Sequence, residues 1–81
     1  MRKMFEFRVR DVTSRDEYVW PEELDFTPSF GMKFRNRTVH CVLRNCEQIH
    51  RKTWDHFRIT DVYVDKRADW GDVITVYGEG Y

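Results

Sequence analysis

Phe5-Glu6-Phe7-Arg8-Val9-Arg10 is the stretch on which the fold class turns. Phe5, Phe7 and Val9 share one parity, while Glu6, Arg8 and Arg10 take the other. A period of two sends successive side chains to opposite faces of an extended chain, so Met1 to Val12 reads as a half-buried strand.

Working outward, Thr13 to Gly31 loses this alternation while gaining acids, two prolines and four aromatics, and it reads as one long acidic, aromatic connection. Within it, Trp20-Pro21-Glu22-Glu23-Leu24 is suited to a single helical turn, because proline fits the first helical position and early glutamates favour the helix dipole. After Gly31 strand character returns. Met32 to Phe34 and Val39 to Leu43 flank Arg35-Asn36-Arg37, where asparagine can take the left-handed backbone of a tight hairpin. Parity also allows Val39 to run on through Asn45 to Arg51 as one strand. Val39, Cys41, Leu43 and Ile49 would then lie on one face, and His40, Val42, Arg44, Cys46, Gln48 and His50 on the other. Phe57 to Val64 is the next strand. Its apolar residues fall on both parities, so either both faces are covered or a bulge lies near Asp61. Asp65 to Asp72 has the Asp and Gly punctuation of a turn, and Val73 to Tyr77 closes the set. The expectation is a single small all-β domain over residues 1–81, mainly β with one short helical turn: a five-stranded barrel or half-barrel in meander order.

At 81 residues the chain buries only about 60% of the surface its unfolded form exposes. Aromatic residues, 16% of the composition, supply much apolar area per side chain and make such a core feasible without disulfides. Cys41 and Cys46, on an extended segment, would stand too far apart to bridge, which points to a reducing cytoplasm, that of a host cell if the protein is viral. No apolar run approaches the length of a membrane span, and no membrane partner is expected.

The net charge of zero conceals a blocked distribution. From Lys33 to Arg58 there are seven Lys or Arg against Glu47 and Asp55, and all three histidines lie there. Asp11 to Asp25 holds six acids against Arg15, and Ile59 to Tyr81 holds five against Lys66 and Arg67. Such segregation suits either an anion-binding surface or a self-complementary one, and near-neutral charge favours a homo-oligomer over mutual repulsion.

Four chemistries compete for these residues. Cys41, Cys46, His50 and His56, with His40 in reserve, are all acceptable zinc ligands, but no tight glycine-bearing knuckle pairs them, so no metal and no cofactor is expected. His50 or His56 as a general base, with Arg51, Lys52 or Arg58 at a phosphate, would suit a small RNase-like enzyme; no spacing singles out a pair, and no nucleophile elbow, phosphate loop or dinucleotide fingerprint is present. The chain is therefore read as non-enzymatic. A basic face of Arg35, Arg37, Arg44, His50, Arg51, Lys52 and Arg58, with Lys33 beside them, would bind nucleic acid or a nucleotide, with Phe34, Trp54, Phe57 or Tyr63 to stack on bases. The reading ranked first, by exclusion of the others, is a small interaction module that docks a protein partner through Trp20, Glu22, Glu23 and Phe26. In short length, dense charge and aromatic content the chain also resembles the small accessory proteins of bacteriophages in general style, without a shared motif. That likeness implies a protein that modulates or inhibits a host or viral factor.

Overall fold

The alternation at Phe5, Phe7 and Val9 is realised as the first wall of a barrel. A computed structural model describes residues 3–67 and 71–81, which form β1 (Lys3–Asp11), β2 (Glu17–Leu24), β3 (Lys33–Arg44), β4 (Glu47–Arg67) and β5 (Gly71–Gly80), with no helix among them. The five strands close into a barrel in chain order. Each consecutive pair is antiparallel. An odd number of strands that alternate in direction leaves the first and last running the same way, and the closing seam is accordingly parallel, from Phe5↔Ile74 to Asp11↔Gly80. Closure removes the free edges that a five-stranded open sheet would present, except along the short β2–β3 ladder.

The expected connection at 13–31 is shorter than its composition suggests, because β2 lies inside it. Tyr18, Trp20 and Leu24 point inward at period two. Glu22 occupies the same parity and is satisfied there: it accepts the Trp20 Nε1–H at 3.2 Å and pairs with Arg37 at 3.2 Å. Trp20 to Leu24 is therefore strand and not a helical turn. Proline has no N–H to donate, so Pro21 can sit opposite Glu6 only with its nitrogen turned away from β1, toward β3. On that side the ladder contains just Tyr18↔Arg44 and Val19↔Leu43.

The turn between β1 and β2 is held by Asp11. Its Oδ1 accepts the N–H groups of Thr13 and Ser14 at 2.9 and 3.0 Å, and its Oδ2 accepts the Trp54 Nε1–H at 3.1 Å and pairs with Lys52 Nζ at 3.1 Å. Burial by itself would raise the Asp11 carboxyl; donation from Ser14, Lys52, Trp54 and Thr13 outweighs it and lowers the pKa to about 2.

Asn36 does adopt a left-handed φ of 52°, but inside β3 and not in a hairpin. Register against β4 is the same on both sides of it, Arg35↔His56 and Arg37↔Trp54. A second left-handed residue, Cys41 at φ 58°, lies between His40↔Arg51 and Val42↔Ile49. Each resets the side-chain parity, so Phe34, Val39 and Val42 all face the core despite their spacing. The single strand running through residues 45–51 is also not formed. Asn45 and Cys46, at φ 48° and 69°, make the two-residue connection of the β3–β4 hairpin, joining Arg44 to Glu47; two positive φ angles match the twist of the flanking strands. The bulge near Asp61 is present as a register shift between Ile59 and Asp61. Of the expected turn at 65–72, residues 65–67 end β4 and 71–72 begin β5, and 68–70 lie outside the described residues.

Aromatic rings fill the interior. Phe7 lies 5.4 Å from Trp20 and 5.6 Å from Phe57 between ring centroids, and Trp20 stacks on Trp54 at 5.6 Å and 26°. β5 makes room for them. A Cβ at Gly78 would fall on the Phe57 ring, and one at Gly80 would stand 2.5 Å from Trp54.

Candidate nucleic-acid interface

The two charge blocks meet within one chain. Of the seven residues expected to form a basic face, four are committed to ion pairs. Arg37 pairs with Glu22 and lies 4.6 Å over the Phe34 ring; Arg44 reaches Asp16 at 3.7 Å and Glu47 at 3.5 Å; Lys52 joins Asp11; Arg58 joins Glu79 at 3.1 Å. The more exposed of these, Arg44 with Glu47 and Arg58 with Glu79, contribute about 0–1 kcal/mol each to stability, and their larger effect here is to cancel charge locally. Arg35, His50 and Arg51 make no ion pair among the described residues, nor does Lys33.

What remains is ordered by the hairpin. Residues opposite one another in an antiparallel ladder share a face, and outward of the β3–β4 pair stand Lys33 with Arg58, Arg35 with His56, Thr38 with Thr53, and His40 with Arg51. Asn36 and Cys41 keep these pairs outward, since without their left-handed turns the strand would bring later residues to the wrong side. No acid occupies any of the eight positions. The nearest acids are Glu79, which partners Arg58, and exposed Asp55 beside His56. At about 3.3 Å per residue, Lys33 to His40 spans roughly 20 Å or a little more. Midway the Thr38 and Thr53 hydroxyls lie 3.0 Å apart.

Three of the rings expected to stack on bases are core residues: Phe34, Trp54 and Phe57 are all buried. Tyr63 is exposed, but it packs edge-on against Tyr77 on the β4–β5 side. The ring that does border the basic face is Tyr81, which sequence reasoning missed. Its only signal was the continuation of inward alternation through Val76, Gly78 and Gly80, which leaves Tyr81 outward.

The residues expected to dock a protein partner are divided. Trp20 is 3% exposed and belongs to the core, and Glu22 is engaged by Trp20 and Arg37. Glu23 is exposed, and Phe26, 44% exposed, leans edge-on against Phe34 at 6.3 Å. The apolar surface that is open lies elsewhere, in a cleft of about 680 Å³ whose lining includes Met4, Val19, Pro21, Cys41 and Leu43, beside the short β2–β3 ladder.

The zinc candidates do not converge. Cys46 sits in the hairpin turn, Cys41 and His50 lie between the His40↔Arg51 and Val42↔Ile49 pairs, and His56 is far down β4 against Tyr81. Among the described residues no three of the His, Cys, Asp and Glu side chains come together to hold an ion. Both cysteines are free and exposed. His50 and His56 lie six residues apart on β4.

No protein-family model matches the chain, and neither a curated protein nor a solved structure matches it significantly.

Proposed function

We propose that this protein is a small non-enzymatic module that binds nucleic acid along the outward face of the β3–β4 hairpin. The observation that carries the reading is the row of cross-strand pairs, Lys33/Arg58, Arg35/His56 and His40/Arg51, flanked by Asp55 next to His56 and by Glu79, which is paired with Arg58. A neutral chain is compatible with this because Glu22, Asp16 and Asp11 of the acidic flank are engaged by Arg37, Arg44 and Lys52 and not by these cations. Lys33, Arg35 and Arg51, with Arg58 partly neutralised by Glu79, would meet three to four phosphates. Release of their counterions gives a log–log slope of affinity against salt of about −2 to −3 for a single strand. Fluorescence anisotropy with a labelled oligonucleotide, titrated across salt concentrations, tests this. Arg35→Glu with Arg51→Glu should weaken binding at least tenfold and flatten the slope, and a native affinity indifferent to salt would refute the reading.

A second reading, docking of a protein partner, rests on the apolar cleft. Beside it the main chain of β2 beyond Val19 has no ladder partner on the β3 side. An extended apolar segment of another protein suits that combination, its side chains in the cleft and its backbone along the strand. Leu43→Asp should abolish such an association, measured by pull-down with the purified partner, and leave oligonucleotide binding unchanged.

A further inference from the structure

One row across the basic face is built differently from the others. Arg35 on β3 stands opposite His56 on β4, and His56 is bonded in turn to Tyr81, just past the end of β5. Two main-chain hydrogen bonds of 2.9 Å each, His56 N–H to Tyr81 O and Tyr81 N–H to His56 O, hold Tyr81 as rigidly as a ladder residue. Gly80 is what lets the chain lie so close there, because any side chain at that point would strike the Trp54 ring. The two outward rings face each other with centroids 5.3 Å apart and planes 31° from parallel. Tyr81 nevertheless remains 47% exposed, and Arg35, on the far side of His56, has no anionic partner among the described residues.

A cation, an imidazole and a phenol ring in line across three strands, about 4.8 Å between neighbours, offer one site for a phosphate and an adjoining π surface. Bases in a duplex are already stacked on each other and present only their edges. A single strand can turn a base out onto the ring while its phosphate meets Arg35. Resting on the nucleic-acid reading above, we infer that Arg35, His56 and Tyr81 form a stacking platform that selects single-stranded nucleic acid over duplex. The shared chemistry is a phosphate next to an unstacked base, which RNA and DNA single strands both supply.

The test measures native protein and Tyr81→Ala against four labelled probes of about twelve nucleotides: oligouridine, oligothymidine, the corresponding DNA duplex, and an abasic strand with the same phosphates. Native protein should prefer one or both single strands over the duplex and the abasic strand by about tenfold or more, and whichever sugar binds identifies the source. Tyr81→Ala should erase that preference while keeping the salt slope, and Tyr81→Trp should restore it. Circular dichroism of each variant establishes that the barrel is intact. If Tyr81→Ala folds and retains the full single-strand preference, the platform is refuted while the basic face stands. If native protein binds none of the probes, both readings fall.

Discussion

β3 has two neighbours, and they hold it by different means. Against β4 the ladder runs from Lys33↔Arg58 to Arg44↔Glu47, with main-chain pairing kept in one register through two left-handed residues. Against β2 it ends after two pairs; Glu22 reaches Arg37 across the rest of that seam, and behind it Trp20 stacks on Trp54 of β4. A seam made of backbone tolerates almost any outward side chain, which leaves the β3–β4 face free to carry unpaired charge. A seam made of side chains has already assigned its residues to structure, and this is why Trp20 and Glu22 of β2 are poor candidates for a docking surface.

The largest effect that would break this contrast is Trp20→Ala. Removing this core ring, which packs on Phe7, Trp54 and Phe57 behind the short seam, should cost about 3–5 kcal/mol, a large part of the stability of a domain this size, read from the urea midpoint. Survival of Trp20→Ala with native stability would return Trp20 to the surface role the sequence suggested.

Acid should act next, through Asp11, which braces β1 against Lys52 and Trp54 on β4. Its folded pKa is lowered, to about 2 from 3.8, so its contribution is fully present above pH 4 and is lost as pH falls toward 2. The loss should be about 2 kcal/mol, and in Asp11→Asn the stability should be lower near neutrality and show a correspondingly smaller fall over that window.

On the backbone seam the sharpest probe is stabilising. Cys46 holds φ 69° in a two-residue hairpin where Asn-Gly is the preferred pair, so Cys46→Gly should add about 0.5–1 kcal/mol and raise Tm by a few degrees, measured calorimetrically. The smallest change is expected from Arg37→Ala. Its pair with Glu22 is about one-third exposed on the arginine side, and loss of under about 1 kcal/mol should follow, with oligonucleotide affinity within twofold of native because Arg37 is not on the outward face.

The same contrast explains what could be read from residues alone. β1 was legible because Phe5, Phe7 and Val9 alternate without interruption. β2 was hidden by Glu22 in an apolar parity and by Pro21, both of which make sense only once Arg37, Trp20 and the unpaired side toward β3 are in view. Asn36 and Asn45 carry the same left-handed preference, and nothing local says that Asn45 turns the chain while Asn36 merely resets its facing. Cys41 has no such signature at all. Blocked charge marked a basic middle, yet which cations stay free depends on partners brought from distant strands, as with Asp11 for Lys52 and Glu22 for Arg37. The ring at the basic face lay in a stretch, Gly78-Glu79-Gly80-Tyr81, whose glycines matter only against Phe57 and Trp54.

The parallel seam that closes the barrel joins residues separated by most of the chain, Phe5 with Ile74, whereas the β3–β4 hairpin closes through a two-residue turn. Hairpins form in about 1–10 μs, and a contact between distant segments must first meet the entropy of closing a long loop. Assembly should therefore run in a fixed order, the basic hairpin early and the β1–β5 closure last. During synthesis, the strands that carry the charged face can pair before β5 has been made, and the final strand then both seals the barrel and delivers Tyr81 to its place beside His56.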